Sequence, residues 1–135
     1  MLNIMVGDER LFLFRRDIIF DTGSSFTYFP TIEFEKFFKV IINKHKCYKK
    51  DGLEFTYCQC ADTSFKDWPT IKIKIGDTKG NVFWLFIRPE DYMMYNSNSE
   101  CLLTVVEELP TLEGEYTILL GDPFLRAYYT IYDMD

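Results

Sequence analysis

Apolar residues in this chain arrive mostly in runs of strand length, and only one segment repeats them at a helical spacing. No other feature constrains the fold as much. Side chains alternate across a strand but return to one face of a helix every third or fourth residue. "LNIMV" and "RLFLF" flank Gly7-Asp8-Glu9 and read as a hairpin. "DIIF" reads as a buried strand running straight into Asp21. "TIKIKI" alternates throughout, as a strand with one wetted face should; residues 76–81 turn the chain and "VFWLFI" returns it. "CLLTVVEEL" and "YTILL" are further strands, separated by an acidic loop over residues 110–115, and "AYYTIYDMD" ends the chain in another. The segment around Cys47, Cys58 and Cys60 reads as a loop.

The helical stripe falls within residues 31–45, where Phe34, Phe37, Phe38, Ile41 and Ile42 follow the spacing of a half-buried helix. Thr31 suits its N-cap. Glu33 and Glu35 near the start, and Lys44 and Lys46 at the end, match the helix dipole. Pro89 to Tyr92 reads as a turn or short helical step, and residues 123–127 as a second short helix. The expected fold is mainly β, mostly antiparallel, with one amphipathic helix.

At 135 residues the chain is one domain's worth, and a composition 47% hydrophobic excludes a disordered chain. A net charge of −6 repels phosphate backbones and argues against a nucleic-acid partner. The cluster Lys44-His45-Lys46 with Lys49 and Lys50 reads as a solvated helix end; a nucleic-acid or membrane patch is the weaker alternative. No stretch approaches the roughly 20 apolar residues of a membrane span, and "MLNIMVGDER" lacks the features of a signal peptide. Cys47, Cys58, Cys60 and Cys101 allow three full pairings, which suits two disulfides in an oxidising compartment. Zinc held by His45, Cys47, Cys58 and Cys60 is disfavoured, because one residue between Cys58 and Cys60 is too few for the usual paired ligands.

The chemistry gathers in "FDTGSSFTYFP", residues 20–30. A strand ending in an acid, then Thr22, Gly23, Ser24 and Ser25, gives a sharp turn at the glycine with hydroxyls and backbone N–H groups aimed back at the carboxylate. A purely structural Asx turn would use the same residues. Leu119, Leu120 and Gly121 follow about a hundred residues downstream.

Asp-Thr-Gly-Ser followed by two apolar residues and a glycine resembles the pepsin-like (family A1) aspartic proteases. "VGDERL", "DWPTIKIKIG", "RPEDYM" and "GDPFLRAYYTIYD" resemble that family's successive segments in order, with Trp68 where leucine is usual. The likeness covers nearly all of residues 1–135 and is that of the carboxy-terminal lobe alone, truncated at both ends. The amino-terminal lobe and its aspartate are missing from these residues.

The resemblance implies an aspartic endopeptidase lobe in which Leu119 to Gly121 cross beside the catalytic loop as a ψ-shaped motif. Asp21 would be one member of a catalytic pair, Thr22 would lock the loop to its partner, and Ser24 would bond the outer oxygen of Asp21. Gly121 would permit the close crossing, while Gly23 and Ser25 would bind the backbone of a peptide or protein substrate. It implies neither metal nor cofactor, and a secretory, extracellular or acidic vacuole-like location. It also suggests Cys60–Cys101 and Cys47–Cys58 disulfides, with Cys58 and Cys60 exchanged as the alternative. A second lobe would complete the site. The alternatives are a homodimer of retroviral-protease type and a non-catalytic module that binds peptides or inhibits a relative.

Overall fold

The computed structural model describes residues 3–11, 17–49, 55–60, 65–97, 99–108 and 117–128. The alternation of "TIKIKI" becomes β7 (Ile71–Gly76), with Ile71 and Ile73 fully buried and Lys72 and Lys74 half-exposed on the other face. It pairs antiparallel with β1 (Asn3–Val6) and β8 (Val82–Ile87). β1 turns through Gly7, held at φ +58°, into the short β2 (Glu9–Arg10). The first sheet therefore has the order β2-β1-β7-β8. Residues 12–14 of the expected second hairpin strand lie outside the described residues.

A second sheet, β5-β6-β10-β9, is built partly from a segment that reads as a loop. β5 (Cys47–Lys49) and β6 (Thr56–Gln59) are strands, and so is β9 (Met93–Ser97). Their runs are short and mixed in polarity, so pairing with β10 (Glu100–Leu103) creates the strand rather than local pattern. The structure joins Cys47 to Cys58 and Cys60 to Cys101. All four cysteines are thus engaged, and none supplies a thiolate for zinc.

"CLLTVVEEL" is two strands, not one. The chain breaks at Thr104, whose backbone N–H and hydroxyl both donate to the Tyr92 carbonyl at 2.8 Å. Beyond the break, β11 (Val105–Glu108) enters a third sheet of order β11-β4-β12-β3. That sheet contains β3 (Asp17–Phe20), β4 (Thr27–Pro30) and β12 (Thr117–Leu120). Here β11–β4 and β12–β3 run parallel, unlike the antiparallel first two sheets. The acidic loop over residues 110–115 and the closing strand over residues 129–135 lie outside the described residues.

α1 (Thr31–Ile42) packs its Phe34, Phe37 and Ile41 side against β4 and β11. Full burial of Phe37 contributes about 1.5–3 kcal/mol. The helix differs from expectation at both ends. β4 runs directly into it through Pro30, so Thr31 is the first helical residue and no side chain caps it. It stops at Ile42, because the Lys44 and His45 amides both fold back onto the Ile41 carbonyl before β5 begins. Lys44 and Lys46 thus lie past the last turn, and Ile42 is 45% exposed instead of joining the stripe. His45 stacks on Trp68, with ring centroids 3.6 Å apart, and closes that end.

α2 (Pro89–Tyr92) carries Tyr92 into the core, where its hydroxyl donates to the Pro69 carbonyl at 2.5 Å. α3 (Asp122–Leu125) follows β12 directly, with proline in its first turn and Gly121 as its cap.

Candidate active site

β3 and β4 are the two arms of one loop, and β12 lies between them. Leu120 pairs with Phe20 on one side and Leu119 with Tyr28 on the other. The Asp21 N–H donates to the Leu120 carbonyl at 2.9 Å, which fixes the loop to the middle strand as it leaves β3. The Asp122 N–H donates to the Ser24 carbonyl at 2.9 Å, which fixes the far side of the turn. Between these two bonds sits Gly121. A Cβ there would lie 2.3 Å from the Phe26 carbonyl oxygen and 2.4 Å from that of Ser24, so only glycine fits the crossing.

The turn aims its donors at the acid. Ser24 Oγ–H donates to Asp21 Oδ2 at 2.7 Å, and the Gly23 N–H donates to Oδ1 at 2.9 Å. Ser24, then Gly23, hold the Asp21 carboxyl below the usual aspartate range, since both bonds favour the charged form. A Cβ on Gly23 would stand 3.2 Å from Oδ1 and press on the carboxylate. The loop therefore presents an oriented, half-buried carboxylate, with Thr22, Gly23 and Ser25 exposed around it. Such a group can accept a proton or hold a water.

The structure thus brings Asp21, Gly23, Ser24 and Gly121 into one unit and leaves Thr22 and Ser25 on its rim. Sequence reasoning treated β3 as buried, yet Ile19 is 50% and Phe20 38% exposed, at the sheet's edge beside Asp21. Phe20 leans on Phe124 of α3 at 5.5 Å between centroids, a contact the sequence reading missed. The signal available was the apolar run Ile18-Ile19-Phe20 placed directly before a polar turn. Among the described residues, no cluster of histidine, cysteine and acidic groups could hold a metal, and no helix is long and apolar enough to cross a membrane.

A split loop with an intervening strand and a hydroxyl-clamped aspartate is the architecture of an aspartic peptidase lobe. The family model described as eukaryotic aspartyl protease matches residues 1–135, and the chain belongs to that pepsin-like family. It is 29% identical over 133 residues to aspartic protease 3 of Toxoplasma gondii, covering 96% of this chain and 18% of that protein. It is 28% identical over 121 residues to plasmepsin IV of Plasmodium falciparum, covering 90% of this chain and 24% of the relative. Pepsin B of Canis lupus familiaris is 38% identical over 72 residues, or 53% of this chain and 17% of that protein. The chain thus spans under a quarter of these curated relatives. Among solved structures, conglutin gamma from lupine seeds shares the fold with a TM-score of 0.65 at 18% identity, over 92% of this chain and 31% of that one. Basic 7S globulin from soybean does so at 0.63 and 14%, over 91% and 32%.

Proposed function

We propose that this chain is the carboxy-terminal lobe of a two-lobed aspartic endopeptidase and supplies Asp21 to a catalytic pair of aspartates. The observation that carries the reading is the clamp on Asp21, with each carboxylate oxygen held by a separate donor of one turn. An Asx turn needs only one such bond. Two facing carboxylates cannot both ionise at close range, so they share a proton and titrate as a unit; pepsin is the standard example. Asp21, poised in its charged form, would take the proton of the attacking water while the protonated partner polarises the scissile carbonyl.

Thr22 would bridge to the partner loop, and Gly23 and Ser25, both exposed, would bind the backbone of an extended peptide substrate. The exposed Ile19 and Phe20 beside the acid suit a mating surface for the second lobe. That surface serves equally for a second copy, which keeps the homodimeric reading alive. The two disulfides support an oxidising, secretory-pathway setting. The fold alone does not decide activity, since two proteins that share it are named as basic 7S globulins rather than as peptidases.

The test is peptide cleavage at acidic pH. The chain alone should be inert at every concentration, and adding an amino-terminal pepsin-like lobe should give cleavage that Asp21→Asn abolishes. Cleavage by the chain alone that rises with concentration would transfer the reading to the homodimer. Peptide binding without cleavage, unaffected by Asp21→Asn, would refute both.

A further inference from the structure

One hydroxyl joins the first sheet to the elements around Asp21. Tyr128 Oη accepts the Phe86 N–H at 2.5 Å and donates its own proton to the Phe86 carbonyl at 2.8 Å. A phenol can accept and donate at once, and here both bonds go to the backbone of a single residue. That residue lies on β8, which is zipped to β7 from Ile71↔Ile87 to Gly76↔Val82. Tyr128 is therefore tied to a fixed point of the first sheet.

From that point two lines of contact lead to Asp21. The Tyr128 ring stacks on Phe124 of α3, with centroids 4.7 Å apart and planes inclined by 23°. Phe124, itself buried, leans on Phe20, the residue before the acid. The same helix reaches the acid a second way. Its first residue, Asp122, donates its N–H to the Ser24 carbonyl at 2.9 Å, and Ser24 Oγ–H clamps Asp21 Oδ2 at 2.7 Å. α3 thus touches both sides of the Asp21 turn, at Phe20 and at Ser24. Yet α3 is a single turn of four residues, and helices that short do not hold their own place. Gly121, which joins it to β12, has no side chain to anchor it.

We propose that Tyr128 is a positioning residue for the Asp21 carboxylate: its two bonds to β8 hold α3 where Asp122 and Phe124 keep the Ser24 clamp closed. The coupling runs through contiguous hydrogen bonds and packed rings, and Tyr128 acts through Ser24 rather than on the acid directly. Phenylalanine at this position keeps the ring stack and loses both bonds, so the hydroxyl can be tested apart from the packing. What the device does for cleavage rests on the proposed function. The state of the carboxylate does not, and it can be read in the chain alone, so either can fail without the other. A merely structural tyrosine would change stability and leave the titration of Asp21 where it was.

Carboxyl NMR of Asp21 against pH, with urea unfolding alongside, tests it. Tyr128→Phe should raise the Asp21 midpoint toward the ordinary aspartate value, by less than Ser24→Ala raises it, because the clamp is loosened and not removed. The other titratable groups on the elements around the turn, Asp17, Tyr28, Asp122 and Arg126, are unchanged by the substitution. In a Ser24→Ala background Tyr128→Phe should add no further rise, since the link it acts through is gone. Phe124→Leu, which removes the stacked ring, should raise the midpoint as well, so a folding defect in Tyr128→Phe leaves a second variant to decide. A midpoint unmoved by Tyr128→Phe, or by Phe124→Leu should the first variant not fold, would overturn the inference. So would a rise of equal size with and without the Ser24 hydroxyl.

Discussion

Replacing Gly121 with alanine asks the crossing of β12 over the Asp21 loop to hold one more carbon. The added Cβ would sit 2.3 Å from the Phe26 carbonyl oxygen, 2.4 Å from the Ser24 carbonyl oxygen and 3.0 Å from Ser24 Cβ. Carbon and carbonyl oxygen ordinarily approach no closer than about 3.3 Å, so the loop must part from the strand by about 1 Å. Neither obstacle is the free end of a side chain. Both are backbone of the turn that clamps Asp21. Parting them breaks the Asp122–Ser24 bond, worth about 1 kcal/mol, and adds overpacking of about 1–3 kcal/mol. The expected loss is about 2–4 kcal/mol out of a typical total of about 5–15.

Urea unfolding followed by tryptophan fluorescence measures it. With a slope of about 1.5 kcal/mol/M, the midpoint should fall by about 1.3–2.7 M. Gly80→Ala is the control, because its Cβ would meet nothing within 4 Å but its φ of +86° is strained for alanine. It should cost only about 1–2 kcal/mol. Gly121 has φ −96°, so its requirement is for space and not for conformation. A Gly121→Ala protein within about 0.5 kcal/mol of the parent would refute the crossing as described.

Three further outcomes follow from the structure. Ser24→Ala removes the larger cause of the lowered Asp21 titration, so carboxyl NMR should show its midpoint rising toward the ordinary aspartate value. In the parent, this stabilisation is present above the unfolded-state pKa and is lost as pH falls through the lower folded one. The variant should therefore lose less stability on acidification. Replacing Cys60 and Cys101 by serine, a separation of 41 residues, should cost about 4 kcal/mol, against about 3 for the 11-residue Cys47–Cys58 bridge, by calorimetry. Tyr92→Phe loses the hydroxyl bond to Pro69 and should cost about 1–2 kcal/mol at neutral pH. Burial pushes the Tyr92 phenol well above the ordinary tyrosine value, so its contribution is full below that value and declines as pH rises through it. Phenylalanine should flatten that alkaline decline.

What the sequence disclosed was whatever a local period or a single residue type determines. The alternation of "TIKIKI" gave β7 its inward isoleucines, and the Phe34–Phe37–Ile41 spacing gave α1 its buried side. The turn around Asp21 was legible because a hydroxyl at Ser24 supplies one donor and a glycine at 23 lets the backbone N–H approach the carboxylate uncrowded. Three kinds of feature stayed hidden. The strands around Cys47, Cys58 and Met93 have no period of their own and exist through their partners in the second sheet. The break at Thr104 depends on a carbonyl twelve residues away. The exposure of Ile19 and Phe20 depends on which neighbour a sheet lacks, and no single-strand pattern encodes that.

The placement of β12 between the two arms of the Asp21 loop has a consequence for biosynthesis. A polypeptide emerging from the ribosome carries the acid before the strand that braces it, which is made almost a hundred residues afterwards. Contacts of such long sequence separation form slowly and only once both ends are available. A nascent chain interrupted before Thr117 would hold the Asp21 carboxyl in a slack hairpin. Whatever hydrolytic competence this lobe contributes is thus withheld until Thr117 to Gly121 have been made.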